Sequence, residues 1–368
     1  MRVAGGLQLT YCTNIHPAVG WENVEASLRA HAPALKARLS PDAPFGIGLR
    51  LSGAESAEVL EGERLRRFRD WLDAEGLYVF TLNGFPHGAF HGQPVKADVH
   101  APDWRSEERV AYTLRLAEVL AGLLPDGRRG TISTSPLSYA AWIAGDAAAL
   151  ERCTANVARV GDALRRIREE RGVHVALAIE PEADGALADV GELVRWWDDR
   201  LDREHVTACF DACHAAVAHE EPGAALDALD AAGIRVGKAQ LSAALRVPPA
   251  ARAELERFAE PVYLHQVTQR NADGTLTAWP DLPEALAAGG NGHEWRVHFH
   301  VPIFLAGYGG LASTQDHLRE TIELVRDRRA CDQLEIETYT WDVLPADLKA
   351  SSVDSIAREY EWALDVLG

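Results

Sequence analysis

Four short apolar runs in this 368-residue sequence end in a side chain that can hold a cation or move a proton. AIEP at 178–181 ends on Glu180, CFDACH at 209–214 contains Asp211, and EIET at 335–338 contains Glu337; KAQL at 238–241 places the amide Gln240 in the equivalent position. Glu180, Asp211 and Gln240 follow one another at intervals of about thirty residues, the length of one strand–helix–strand unit. Glu337 comes about a hundred residues later, one such unit plus an extra segment. In each run the polar residue shares parity with small or polar neighbours (Ala176, Ala178 and Glu180; Thr207, Cys209 and Asp211; Glu335 and Glu337), while Val175, Leu177 and Ile179 take the other face. A strand alternates its faces with period two, so the carboxylates fall on one side of a common sheet, at the strand ends. Three carboxylates gathered there repel one another unless a positive charge sits between them. An oxygen-rich set of this kind suits Mg²⁺ or Mn²⁺ better than the His- and Cys-rich sets of zinc. One divalent cation is therefore expected, Mn²⁺ or Mg²⁺, with Zn²⁺ or Co²⁺ as alternatives. Pro181 biases Glu180 toward extended backbone and ends its strand.

The elements that must position these residues alternate along the chain. Strands are expected at 7–12, 46–51, 77–82, 130–134, 174–180, 206–211, 234–240 and 334–340. Helices are expected near 22–39, 56–75, 105–123, 146–171, 188–201, 222–232, 314–328 and 352–366. In the 146–171 segment Leu150, Val157, Val160 and Leu164 form one apolar stripe, with Arg165, Arg168 and Glu169 off it. Eight strand–helix units imply a parallel sheet closed into a (β/α)8 TIM barrel, the catalytic groups at the C-terminal mouth. A doubly wound sheet is the alternative, weakened by the lack of a GxGxxG after the first strand. The expected organisation is a single domain over 1–368, with an excursion at about 247–310 covering that mouth. Strand-like pieces at 262–267 and 295–300 flank a Gly/Pro/Asn-rich stretch inside it, and insertions of this length are usually functional or mobile.

Composition narrows the field. With 47% hydrophobic and 25% charged residues the chain reads as globular, and 37 basic against 55 acidic residues give a formal charge of −18. That excess argues against nucleic acid and membrane surfaces as partners and favours small-molecule chemistry. The five cysteines are widely spaced, without a CxxC, which fits buried thiols, and the N-terminus lacks the layout of a secretory signal; a cytoplasmic location is expected.

With these residues in place, the chain resembles the xylose isomerase-like barrel superfamily of sugar and sugar-phosphate isomerases and epimerases. That resemblance implies metal ligands at Glu180, Asp211, Gln240 and Glu337, in the superfamily's order Glu, Asp, His or Gln, Glu. Its Asp-x-x-His signature appears as Asp211-Ala-Cys-His214, which implies substrate contact by His214. Gln in third place, followed by the Pro-containing QLSAALRVPP, is similar to the hydroxypyruvate isomerase branch. TYCTNIHP, FTLNGFPHGAFHG, APDW and STSPLSY resemble the Ebo-type "metabolite traffic" proteins, which implies a role in a small-metabolite pathway. The implied activity is isomerisation or epimerisation of a sugar, sugar phosphate or cyclitol ketone through an enediolate, with Glu180 and Glu337 taking and returning the proton. Further substrate contacts are expected from His298 and His300, from His16 after the first strand, from His87 and His91 after the third, and from His265. Lys238 and Glu335, each two residues before an expected ligand, are expected to form a buried ion pair. A homodimer is compatible with this reading. Two other functions compete: a non-catalytic metabolite carrier or scaffold, and a phosphodiester hydrolase of the apurinic endonuclease type. The latter uses additional histidines on strands three and four, whereas strand four here ends in Ser133-Thr134-Ser135.

Overall fold

The computed structural model describes residues 1–290, 292–345 and 351–368. Seven strands appear in turn: β1 (Gln8–Tyr11), β2 (Phe45–Arg50), β3 (Leu77–Asn83), β4 (Arg129–Thr134), β5 (His174–Ile179), β6 (Val206–Asp211) and β7 (Val236–Leu241). After β7 the chain makes six short strands, β8 (Leu245–Val247), β9 (Val267–Arg270), β10 (Leu276–Trp279), β11 (Trp295–Val297), β12 (Gly307–Tyr308) and β13 (Leu311–Ser313), and then returns as β14 (Gln333–Ile336). The eight-stranded sheet has the order β1-β14-β7-β6-β5-β4-β3-β2, parallel throughout. Helices connect the strands, including Trp21–Leu39, Arg64–Glu75, Glu107–Leu123, Ala147–Arg171 and Gln315–Arg328, and Ser352–Leu367 follows β14. This is the (β/α)8 TIM barrel expected from the alternation. Its core lies between sheet and helices, where Leu9, Ile47, Val79, Ile132 and Leu177 meet Leu116, Val157 and Leu318, all fully buried.

The seam between β1 and β2 is the thinnest part of the wall. A single parallel bridge, Cys12 to Gly48, and a hydrogen bond from Thr10 Oγ1 to the Gly46 carbonyl (3.0 Å) close it. Gly48 has to be glycine: a Cβ there would lie 1.8 Å from Glu335 Oε1 and 2.8 Å from the Tyr11 carbonyl. Glu335 occupies that interior because it pairs with Lys238, and both are buried as expected. The five cysteines are free and buried. Among the described residues no helix is long and apolar enough to cross a membrane.

Two expectations shift. The helix foreseen over 56–75 is two helices, Gly53–Glu58 and Arg64–Glu75, separated at Gly62, which has a φ of 55°. The first begins on a capping box: Ser52 accepts from the Glu55 N–H and the Glu55 side chain accepts from the Ser52 N–H. In the excursion, β8 to β13 form their own antiparallel sheet in the order β10-β9-β11-β8-β13-β12. Residues 262–266 and 298–300 lie outside its strands. The Val262 carbonyl accepts from the N–H groups of Val95 and Lys96, and Val301 donates to the Ala243 carbonyl, so part of this backbone pairs with other segments. The excursion begins and ends at one place, because Ala244 and Thr314 are clasped by two hydrogen bonds of 2.8 and 2.9 Å.

Candidate functional site

The carboxyl ends of β5, β6, β7 and β14 bring the four expected ligands to one level. Glu180 continues the ladder beyond β5, its N–H on the Thr134 carbonyl (3.0 Å). Asp211 and Gln240 are register partners across β6 and β7, and the Glu337 N–H bonds the Leu241 carbonyl (3.2 Å). Glu180, Asp211 and Glu337 each offer an oxygen within 4.8 Å of the others'. All four side chains are buried.

Their hydrogen bonds fix one part of each group and leave another bare. Asp211 Oδ1 accepts from the His214 N–H and from Ser242 Oγ, both 2.8 Å, whereas Oδ2 has no partner. Glu337 Oε1 accepts from Asn14 Nδ2 and from Asn83 Nδ2, both 2.7 Å. Glu180 Oε2 and both terminal atoms of Gln240 are buried without partners. Buried polar atoms are seldom left unpaired, and a cluster of them calls for a missing partner. Burial pushes the Glu180 carboxyl well above the usual range, and the charges of Glu337 and Asp211 push it further. Glu337 is raised in the same way, by burial and then by Asp211 and Glu335. A divalent cation would satisfy the bare oxygens and relieve this repulsion, so the donor set fits one.

Two histidines of the site are held by backbone carbonyls. His214 Nδ1 donates to the Pro181 carbonyl (3.0 Å) and His300 Nδ1 to the Glu337 carbonyl (2.7 Å). Each bond fixes its ring through Nδ1 and leaves Nε2 on the other side, where that of His300 has no partner. Burial lowers the pKa of His300 to about 4 and that of His298 well below its ordinary value. His298 lies 3.3 Å from Glu182 Oε1 and bonds Gln266 Oε1 (2.6 Å). Glu182 itself is raised to about 7, chiefly by burial.

A cavity of about 50 Å³ stands over this floor, lined by Glu180, Glu182, Glu337, His214, His298 and His300, by Asn14 and Asn83, and by a largely apolar wall. In that wall Phe90, Tyr263 and Tyr339 pack at angles, with ring centroids 5.0–5.1 Å apart. The volume holds an ion and a water or two. Val95, Lys96 and Val99 also line it, and Lys96 Nζ is fastened to Asp281 Oδ2 at 2.6 Å. A larger hollow of about 830 Å³ opens at the opposite, amino end of the strands, where Arg129, His174 and Gln333 lie, away from the carboxylates.

A family model described as "xylose isomerase-like TIM barrel" matches residues 47–286. The chain belongs to this family. The xylose isomerase-like fold also unites it with solved structures at low identity. A D-tagatose 3-epimerase-like protein is 10% identical, with 98% of each chain covered and a TM-score of 0.55. A D-psicose 3-epimerase from Clostridium cellulolyticum H10, solved with D-tagatose, is 14% identical over 98% of each chain at 0.53. The IOLI protein with a bound zinc atom is 12% identical over 98% of each chain at 0.51. A comparison with curated proteins gives no match.

Three of the expected substrate histidines lie apart from the central cavity of this xylose isomerase-like barrel. His16 bonds Tyr11 OH (3.1 Å) and stacks on His31, facing a neighbouring recess that it shares with Arg50 and His91. His87 packs edge-on against Tyr112, 3.7 Å from Glu108. His265 has both ring nitrogens engaged, by Glu260 Oε1 and the His298 carbonyl (both 2.8 Å), and stacks on Phe299. Each has a local partner that turns it away. Conversely, Asn14, Asn83 and Glu182 went unnamed. Asn14 lies just beyond β1, Asn83 ends β3 and Glu182 lies two residues past Glu180, so the strand-end rule that found the carboxylates would have found them too.

Proposed function

We propose that this chain is a divalent-cation-dependent isomerase or epimerase that moves a proton on a carbohydrate or cyclitol ketone. The observation that carries the reading is the convergence of Glu180, Asp211 and Glu337 within 4.8 Å, with unpartnered atoms on Glu180, Asp211 and Gln240. When bound, Mn²⁺ or Mg²⁺ would polarise the substrate carbonyl and neighbouring hydroxyl and so acidify the C–H between them. The rest of the work falls to the chain's own groups. Glu180 and Glu337 stand just after β5 and β14, with β6 and β7 between those strands, so they face a bound carbon from different directions. One takes the proton and the other returns it. The amides of Asn14 and Asn83 occupy Glu337 Oε1 and hold the carboxylate plane, leaving Oε2 for the exchange. His214, fixed by the Pro181 carbonyl, presents Nε2 to a substrate hydroxyl. Gln240 adds an oxygen donor without adding charge. The reading treats the chain as one domain whose excursion roofs the mouth, supported by Tyr263, His298 and His300 of the excursion in the cavity wall. A volume of about 50 Å³ is too small for a sugar, so binding one requires the lining to move apart.

The test is deuterium exchange. The Mn²⁺-loaded protein in D2O should wash deuterium into the carbon beside the carbonyl of a ketose pool, and Glu337→Gln should lower the rate about 10²–10⁴-fold. Binding of ketoses without exchange would identify a carrier instead. Unchanged exchange in Glu337→Gln would refute the acid–base assignment.

A further inference from the structure

The antiparallel sheet of the excursion gathers positive charge in a chain whose formal charge is −18. Arg246 of β8 and Arg296 of β11 are register partners, so their side chains leave the same face of the sheet directly opposite each other. Thr268 of β9 is next in that row, and Arg270 lies two residues further along the same face. Like charges set opposite each other across a strand pair are destabilising. Each guanidinium spends part of its capacity on the protein. Arg246 Nη1 and Nη2 donate to the two carboxylate oxygens of Asp316 (2.9 and 2.8 Å). Arg296 Nη1 donates to the Ala216 carbonyl (2.7 Å), and Arg270 Nη2 donates to the His219 carbonyl. The Nε–H groups of Arg246 and Arg296 are left over, buried and without a hydrogen-bond partner. Both approach one point, marked by Glu294 Oε1. That oxygen stands 3.7 Å from Arg246 Nε and 3.8 Å from Arg296 Nε, too far to accept from either. Glu294 hangs over the pair from solvent, its side chain 44% exposed. Among the described residues Asp316 and Glu294 are the carboxylates paired with this trio, and Arg270 has none. All three charges reach the buried His219, whose Nε2 has no partner; burial and then Arg296, Arg270 and Arg246 lower its pKa to about 3. A tetrahedral oxyanion carries acceptors in several directions, so one placed where Glu294 Oε1 stands can take both Nε–H groups at once.

We propose that this face of the excursion is a second ligand site, separate from the carboxylate cluster, and that it takes a tetrahedral oxyanion: inorganic phosphate or the phosphoryl group of a small metabolite. Arg246 and Arg296 receive the anion through Nε, Arg270 supplies a third positive charge, and Glu294 swings outward to make room. The bound anion ties β8, β9 and β11 together. β11 runs directly into His298 and His300, which line the cavity, so occupancy steadies that part of its wall.

The test is calorimetric titration of the full chain with inorganic phosphate and with glucose 6-phosphate, against sodium chloride of matched ionic strength. At least one of the two oxyanions should bind and raise the urea midpoint, whereas chloride should do neither. Arg296→Gln should weaken that binding about tenfold or more, through loss of a charge-assisted contact. Glu294→Gln should tighten it, because a like charge leaves the place the anion takes. Urea unfolding without added anion checks that both variants fold, and if Arg296→Gln does not, Glu294→Gln decides alone. Glucose 6-phosphate that responds to both substitutions identifies a phosphorylated metabolite as ligand; a response by inorganic phosphate alone identifies the free ion. Failure of both oxyanions to bind at 50 mM overturns the proposal. So does binding that neither substitution alters, which would lie elsewhere on the chain, and so does weaker binding in Glu294→Gln.

Discussion

Asn14 offers the sharpest test of the cation site, because its side chain has one polar tie. Its Nδ2 donates to Glu337 Oε1 at 2.7 Å, and its Oδ1 has no partner. Its carbonyl holds His91, but that bond belongs to the backbone and survives a side-chain change. Asn14→Leu therefore removes one hydrogen bond to a buried carboxylate and little else. A hydrogen bond to a charged group contributes about 1.5–3 kcal/mol. Glu337 must be ionised to hold a cation, so that energy is lost from the bound state. At 1.4 kcal/mol per decade the Kd for Mn²⁺ should rise about 10–100-fold, the range found for partners that orient a metal's ligands. Without metal, burial and Asp211 push the Glu337 carboxyl well up, so the protonated form loses less and the apo protein should denature at nearly the same urea concentration. Calorimetric Mn²⁺ titration of the EDTA-stripped variant, beside urea unfolding with and without metal, separates the two effects. A folded Asn14→Leu protein that binds Mn²⁺ as tightly as the parent would refute the reasoning.

Three other outcomes follow from the structure. Stripping with EDTA should lower stability, and restoring Mn²⁺ at a hundred times its Kd should return about 2.7 kcal/mol in urea unfolding; no response to any divalent ion would dismiss the site. Gly48→Ala forces a carbon 1.8 Å from Glu335 Oε1 and should cost about 3 kcal/mol or more, seen as a lower urea midpoint. Glu359 is buried with a carboxyl raised from 4.5 to about 8, chiefly by burial, its Oε1 accepting from Thr338 and the Ile303 N–H. The folded state therefore holds this proton more tightly than the unfolded chain. Its contribution to stability is complete below about pH 4.5 and is lost as pH rises through about 8, by up to roughly 1.4 kcal/mol per unit. Glu359→Gln should flatten that slope and unfold at higher urea than the parent at pH 8.5; parallel slopes would contradict the assignment.

The barrel was legible because its strands repeat one pattern: apolar residues toward the helices, small or polar ones inward. Ala178-Ile179-Glu180 and Phe210-Asp211 carry that pattern up to the residue at the mouth, so parity alone aligned these side chains. The excursion was not legible in the same way. Its strands are two to four residues long, too short to show a period, and are held by partners far away in sequence, as Trp295 is by Val247 and Gln269. Residue type also proved a poor guide to direction. His16, His87 and His265 have the chemistry of site residues, but Tyr11, Tyr112 and Glu260 engage them elsewhere. Asn14 and Asn83 carry no such chemical flag; their place at strand ends puts them at the mouth, but only the fold shows that both reach Glu337.

The clasp between Ala244 and Thr314 has a consequence for what the fold tolerates. Because the antiparallel sheet β8–β13 departs and returns at a single stitch, a tight turn could replace everything between without altering how β7 hands the chain to the next helix. A stitch of this kind would accept inserts of other lengths while leaving the carboxyl ends of β5, β6, β7 and β14, and the side chains gathered there, in place.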